Sequence, residues 1–129
     1  MRLKYICGVA LLTSAAFFAA NSWAGSVPLL EGTEWGPENG LGQYIQFKEG
    51  GEVFGFAGCN TFLGTYSQSG DRLTLGELSI TEQECDGMMG AEAAFLDGLK
   101  GSHRLDVVNN DIRVYNQTGR WILGLRQRF

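Results

Sequence analysis

Beyond residue 40 the chain reads as short stretches rich in aliphatic and aromatic residues, each closed by a turn bearing glycine or asparagine. Tyr44-Ile45-Gln46-Phe47 and Val53-Phe54-Gly55-Phe56 flank Gly50-Gly51, which tolerates the positive φ of a tight turn, so the two stretches are expected to pair as antiparallel strands. Thr61 to Tyr66 and Arg72 to Leu75 stand in the same relation around Ser69-Gly70-Asp71, as do Leu105 to Val108 and Ile112 to Tyr115 around Asn109-Asn110. Thr118-Gly119 then turns the chain into a last strand from Arg120 to about Gln127. Local pairing predominates, and no repeat, long linker or second domain is visible.

Between Asp86 and Gly101 the period changes. Met88, Phe95, Leu96 and Leu99 are spaced by seven, eight and eleven residues, which places them on one face of an amphipathic helix, with Glu92 and Asp97 expected towards water. Asp86 is expected to cap the start, Lys100 to favour the negative end, and Gly101 to supply a left-handed stop. Gly90 and Gly98 weaken the intrinsic propensity, so packing has to hold the helix. The methionine and aromatic stripe reads as core and not as a cofactor site.

A meander of about eight short strands must cover its apolar face without a second domain. Curling into a small, partly open barrel around the helix does so and limits exposed edges. The expected class is mainly β (α+β): a partly open antiparallel β-barrel-like meander with one inserted helix. Its expected core is Trp35, Phe47, Phe54, Phe56, Phe62, Tyr66, Leu73, Leu75, Val107, Val114, Trp121, Leu123 and Leu125.

The first residues read as an export signal: basic Arg2 and Lys4, an apolar stretch from Ile6 to Ala20, and the small-x-small site Ser22-Trp23-Ala24. The stretch falls short of the ~20 residues that span a bilayer, so cleavage is favoured over an anchor. Residues 1–24 are thus expected to be removed, leaving 25–129 as one soluble domain, periplasmic or secreted, without stable membrane insertion. Cys7 lacks the preceding small residues of a lipoprotein signal. The remaining thiols, Cys59 and Cys85, are expected to form one disulfide in an oxidising compartment, a useful staple for a domain this small.

Loss of Arg2 and Lys4, with no acid, moves the net charge from −4 to −6, and no general basic patch remains to hold nucleic acid. From Glu31 to Asp97 the only bases are Lys48 and Arg72, whereas from Lys100 onward six bases face only Asp106 and Asp111. The favoured account is cross-strand pairing of solvated charges. The functional account is a polar docking surface, with Arg120, Arg126 and Arg128 as a candidate basic strip.

Glu31-Gly32-Thr33-Glu34-Trp35, the run from Gly58 to Tyr66, Thr81 to Cys85, and Glu92 to Leu96 together resemble the META domain of the heat-shock HslJ family over nearly all of residues 30 to 127. The specific part is Gly58-Cys59-Asn60 followed by Phe62, Gly64 and Tyr66. The resemblance implies a small, barrel-like envelope or secreted protein, with a stress association in some members. It brings no catalytic residues. Asp86-Gly87 stands where Cys-Pro often follows, which alters the expected loop shape but not the cysteine pairing.

Enzyme chemistry finds little footing. A Cys59 nucleophile would need the sole histidine, His103, as base and Asp106 to orient it, and oxidation of Cys59 removes that mechanism. Cys59, Cys85 and His103 form a three-ligand metal set only on paper, since motif spacing is missing. No nucleophile elbow or phosphate loop occurs, and no cofactor is expected. Alternation of Trp121, Leu123, Leu125 and Phe129 resembles a final outer-membrane strand, but the other strands are too short, and Arg72, Asp106 and Arg113 interrupt most outward faces. The expectation is a monomeric, nonenzymatic envelope protein that contributes to heat or antibiotic tolerance by contacting a protein partner. Its net acidity favours a cationic one, such as a cell-wall hydrolase that it would inhibit. The alternative is a barrel holding a small apolar ligand between helix and sheet, distinguished by whether Met88, Phe95 and Leu99 fill the interior.

Overall fold

The hairpins expected around the glycine- and asparagine-bearing turns all form. In the computed structural model, which describes residues 27–128, β2 (Tyr44–Lys48) pairs with β3 (Glu52–Phe56), and Gly50 and Gly51 both take positive φ. β4 (Thr61–Ser69) pairs with β5 (Arg72–Leu75), and β7 (Arg104–Val108) with β8 (Asp111–Tyr115). Asn109 adopts positive φ in the last of these turns, as short asparagine side chains tolerate. β9 (Trp121–Gln127) closes the series, β1 (Thr33–Gly36) opens it, and the two-residue β6 (Ser79–Ile80) follows β5. The expected signal segment and Phe129 lie outside the described residues.

Among the described residues nine antiparallel strands make one sheet in the order β3-β2-β1-β9-β8-β7-β5-β4-β6, and β3 also pairs with β4, which closes every strand but β6 into a ring. Closure is uneven. The β1–β9 seam rests on two register pairs, and the β5–β7 seam on one, Arg72 opposite Arg104. The long β4 holds β3 along one edge, with β5 and then β6 along the other.

The helix α1 (Met89–Lys100) supplies Phe95, Leu96 and Leu99 to the interior, where they join Leu30, Trp35, Ile45, Phe47, Val53, Phe62, Leu73, Leu105, Ile112, Val114 and Leu125. Phe95 lies edge-on to Phe62 with ring centroids 6.3 Å apart. Met88 precedes the helix and is only partly buried. Three expectations about the helix fail. Asp86 makes no cap, because the helix starts at Met89 with Met88 at the cap position and no side-chain bond there. Gly101 ends the helix at φ −87°, and its N–H bonds back to Asp97 O, so no left-handed residue is needed. Glu92 is buried, for a reason that belongs to the site below.

The expected core was wrong about the inward face of β3. Val53 and Gly55 point inward, while Phe54 and Phe56 are half-buried, since the ring of Phe62 occupies the space beside Gly55. A Cβ on Gly55 would lie 2.3 Å from that ring, so the two aromatics of β3 take the other face. Tyr66, Leu75 and Leu123 pack against the core without full burial, whereas Val107 and Trp121 are exposed on the outside.

Candidate functional site

The corner Ala57–Asn60 between β3 and β4 carries three of the six motif residues, Gly58, Cys59 and Asn60. Ala57 N–H donates to Asn60 O at 2.8 Å, and Gly58 takes φ +119°. A Cβ at Gly58 would also stand 3.1 Å from the Met88 methyl and 3.4 Å from Gln43 Nε2, so backbone and space both call for glycine.

This turn directs two backbone donors at the helix. Cys59 N–H and Asn60 N–H converge on Glu92 Oε1 at 2.9 and 2.7 Å, and Asn60 Nδ2 donates to Glu92 Oε2 at 2.6 Å. Buried N–H groups need acceptors, and the carboxylate supplies them. Burial pushes the Glu92 carboxyl up, but the bonds from the Asn60 side chain and from the Asn60 and Cys59 backbones outweigh it, so the group is held below its ordinary range.

Asn60 is saturated. Its Nδ2 also donates to Gln83 O at 2.9 Å, while its Oδ1 accepts from Gln83 N at 2.6 Å and from Thr81 Oγ1 at 2.7 Å. Cys59 and Cys85 are joined with Cα atoms 5.8 Å apart, tying the same 81–85 segment to the corner. Buried Gln43 adds a strut, donating to Ala57 O at 2.8 Å and Ala91 O at 3.1 Å. The cluster thus fastens β2, the β3–β4 corner, the 81–85 segment and the start of α1 to one another. Its reactive groups are all consumed: the sulfurs by each other, the carboxylate and amide by internal hydrogen bonds.

The remaining motif residues serve packing. Phe62 is buried against Gly55, and a Cβ on Gly64 would lie 2.5 Å from the Leu78 side chain, so the 77–78 segment can cross there only over glycine. Tyr66 sets its ring edge-on to Phe47 at 4.9 Å, and burial, helped by Glu31, raises its hydroxyl above the ordinary tyrosine value.

His103 is not brought to this corner. It follows the far, C-terminal end of α1, its N–H bonded to Tyr115 O. The disulfide leaves no thiol for the triad or the metal set with His103, and no cluster of three metal-ligating side chains occurs among the described residues. Of the candidate basic strip, Arg126 and Arg128 are engaged with acids. Arg126 bonds Asp111 at 3.0 Å, its cross-strand partner on β8, and also Glu38. The Arg126 hydrogen bond holds the Asp111 carboxyl below its usual range. Arg128 lies 3.4 Å from Glu34 and over the ring of Tyr44, while Arg120 is exposed in the turn before β9.

Glu92 and Gln43 are the members that sequence reasoning missed. A signal for Glu92 was present: it stands three, four and seven residues before Phe95, Leu96 and Leu99, on the same helical face. Charge alone argued for water.

Opening the disulfide is expected to destabilise the domain by about 3–4 kcal/mol in the chain-entropy model, given cysteines 26 residues apart. Urea melts with and without reductant measure the loss. Intact mass with and without alkylation checks the bond itself, and two free thiols in the protein as purified would contradict it.

Among solved structures, an NMR structure of a protein from Burkholderia xenovorans aligns with 77% of this chain and 83% of its own at 20% identity, with a TM-score of 0.62. A second NMR structure covers 75% and 90% at 20% identity with a TM-score of 0.58. A DUF4847 family protein from Bacteroides vulgatus covers 67% of this chain and 59% of its own at 16% identity, with a TM-score of 0.54. At these identities the likeness concerns the fold. No curated protein matches the chain. The family model of the META domain, however, matches residues 21–128, a span that takes in the corner, its disulfide, the helix and every strand described above, and the chain belongs to the META domain family.

Proposed function

We propose that this is an exported, nonenzymatic META-domain protein of the cell envelope that contributes to stress tolerance by contacting another protein. One observation carries the reading: the polar groups of the family motif are spent on internal bonds, so the outer surface is what remains for recognition. Export is supported by the N-terminal signal pattern and by the disulfide, which persists in oxidising compartments. The HslJ-like resemblance supplies the stress association. The acidity of Glu31 to Asp97 favours a cationic partner, an envelope enzyme held inhibited being one form of it. An apolar ligand inside the barrel is less well supported, because Phe95, Leu96 and Leu99 take up that interior.

The test is affinity capture from envelope extract with the oxidised domain at about 0.05 and about 0.5 M salt, since screening shortens from beyond 10 Å to a few ångströms over that range. A charge-driven partner is expected to bind several-fold more weakly at high salt. Glutamine at Arg120, Arg126 or Arg128 tells which side of the molecule is used. Binding indifferent to salt and to all three changes would dispose of polar docking, and an apolar molecule copurifying with the folded domain would favour the ligand barrel.

A further inference from the structure

The outer face of β8 and β9 carries a groove of about 280 Å³ whose composition packing does not explain. One wall is Trp121, 53% exposed although it is among the largest apolar side chains. Its ring is held: the Arg113 guanidinium lies 4.3 Å from the ring centroid, and the indole N–H donates to Leu123 O at 3.1 Å. The floor is Gly124, opposite Arg113 in the β8–β9 register. Gly124 has no positive φ, and a Cβ there would meet only Trp121, at 3.7 and 3.9 Å, which is ordinary contact. Glycine weakens a strand interior and often marks a bulge, a tight bend or the close approach of a ligand or another backbone; the β8–β9 register shift falls between Trp121 and Leu123, whereas Gly124 pairs regularly with Arg113. Here neither conformation nor crowding requires it. The opposite wall is Arg126, bonded to Asp111 and Glu38.

We propose that this groove binds a neutral sugar ring. The indole face, negative at its centre, suits the C–H groups of a pyranose, and a pre-positioned ring loses little freedom on binding. Carboxylates accept and guanidiniums donate in planar pairs, the complement that neighbouring hydroxyls need. The formal charges of Glu38, Asp111, Arg113 and Arg126 cancel, so the groove gains little from an ionic ligand, and the Arg113 charge beside the indole repels a cation. The missing side chain at Gly124 leaves room for the ring to lie flat between the walls. This inference does not depend on the protein-contact reading.

The test is a titration of the oxidised, ¹⁵N-labelled protein with triacetylchitotriose and with maltotriose, followed at the Trp121 indole and the Gly124 amide. Saturable shifts at both are expected for at least one sugar, with a Kd on the order of 1 mM that added salt leaves unchanged. Gly124→Val should weaken that binding at least about tenfold by filling the floor, while its strand persists, valine being a strong strand former. Trp121→Ala should do the same by removing the wall. No saturable shift with either sugar to about 20 mM would overturn the proposal, as would undiminished binding in Gly124→Val. Saturable binding of inorganic phosphate at the same two residues would overturn the neutral character of the ligand.

Discussion

Glu92→Ala is expected to lower the stability of the domain by about 3–5 kcal/mol, because each buried donor stripped of its acceptor costs about 1–3 kcal/mol. The carboxylate accepts from two backbone N–H groups and from the Asn60 amide, and none of these has a second acceptor within the corner except Asn60 Nδ2, which keeps Gln83 O. Glu92→Gln should fall between wild type and alanine. Its carbonyl can still accept the two backbone bonds, but its NH₂ then faces Asn60 Nδ2, and Asn60 cannot turn over without losing Thr81 and Gln83 at Oδ1.

The same pair of proteins carries a pH signature. Because the Glu92 pKa is depressed in the folded state relative to about 4.3 unfolded, its ionised form stabilises fully above the unfolded value and loses that contribution as pH falls through the folded one. The stability gap between wild type and Glu92→Gln should therefore be largest near neutrality and shrink in acid. Urea denaturation at about pH 7 and about pH 3 measures it. A gap that stays constant, or an alanine variant within about 1 kcal/mol of wild type, would show that the corner does not depend on this carboxylate.

Phe95→Ala should cost about 3–5 kcal/mol, the range for deleting a buried aromatic. Phe95 is 2% exposed and meets Phe62 inside a ring of strands, whose hydrogen-bonded closure restrains collapse into the void. Asp97→Ala, two residues away on the exposed side, should stay within about 0.5 kcal/mol. Comparable losses from the two changes would mean that the helix does not present the face described.

How much could be read in advance differs by element. The hairpins were legible because their turns are local: Gly50-Gly51 and Asn109-Asn110 sit between alternating stretches, and pairing across so few residues leaves little choice of partner. The helix was legible from its period, yet its ends were not, since capping depends on which donors the surrounding segments already satisfy. The inward face of β3 was misread for a similar reason. Both of its faces are apolar, and only the arrival of Phe62 from β4 decides that Gly55, not Phe54 or Phe56, points inward.

The candidate site shows the same division. Cysteine count and an export signal were enough to pair Cys59 with Cys85, and the motif was enough to single out Gly58, Cys59 and Asn60. Nothing local says that the corner's two free N–H groups meet a carboxylate 32 residues away. The charge asymmetry was equally ambiguous: Arg126 and Arg128 read as an open strip along the chain, but the register of β8 with β9 and the return of β9 beside β1 set them against Asp111, Glu38 and Glu34. Sequence by itself determined the local elements, the helix α1 and the disulfide, because turn chemistry, periodicity and thiol oxidation act over short distances or on few candidates. Tertiary structure alone decided which faces are inside, where Glu92 goes and how Trp121, Gly124 and Arg113 come to share one groove, because those outcomes depend on which distant segment fills each space and satisfies each donor.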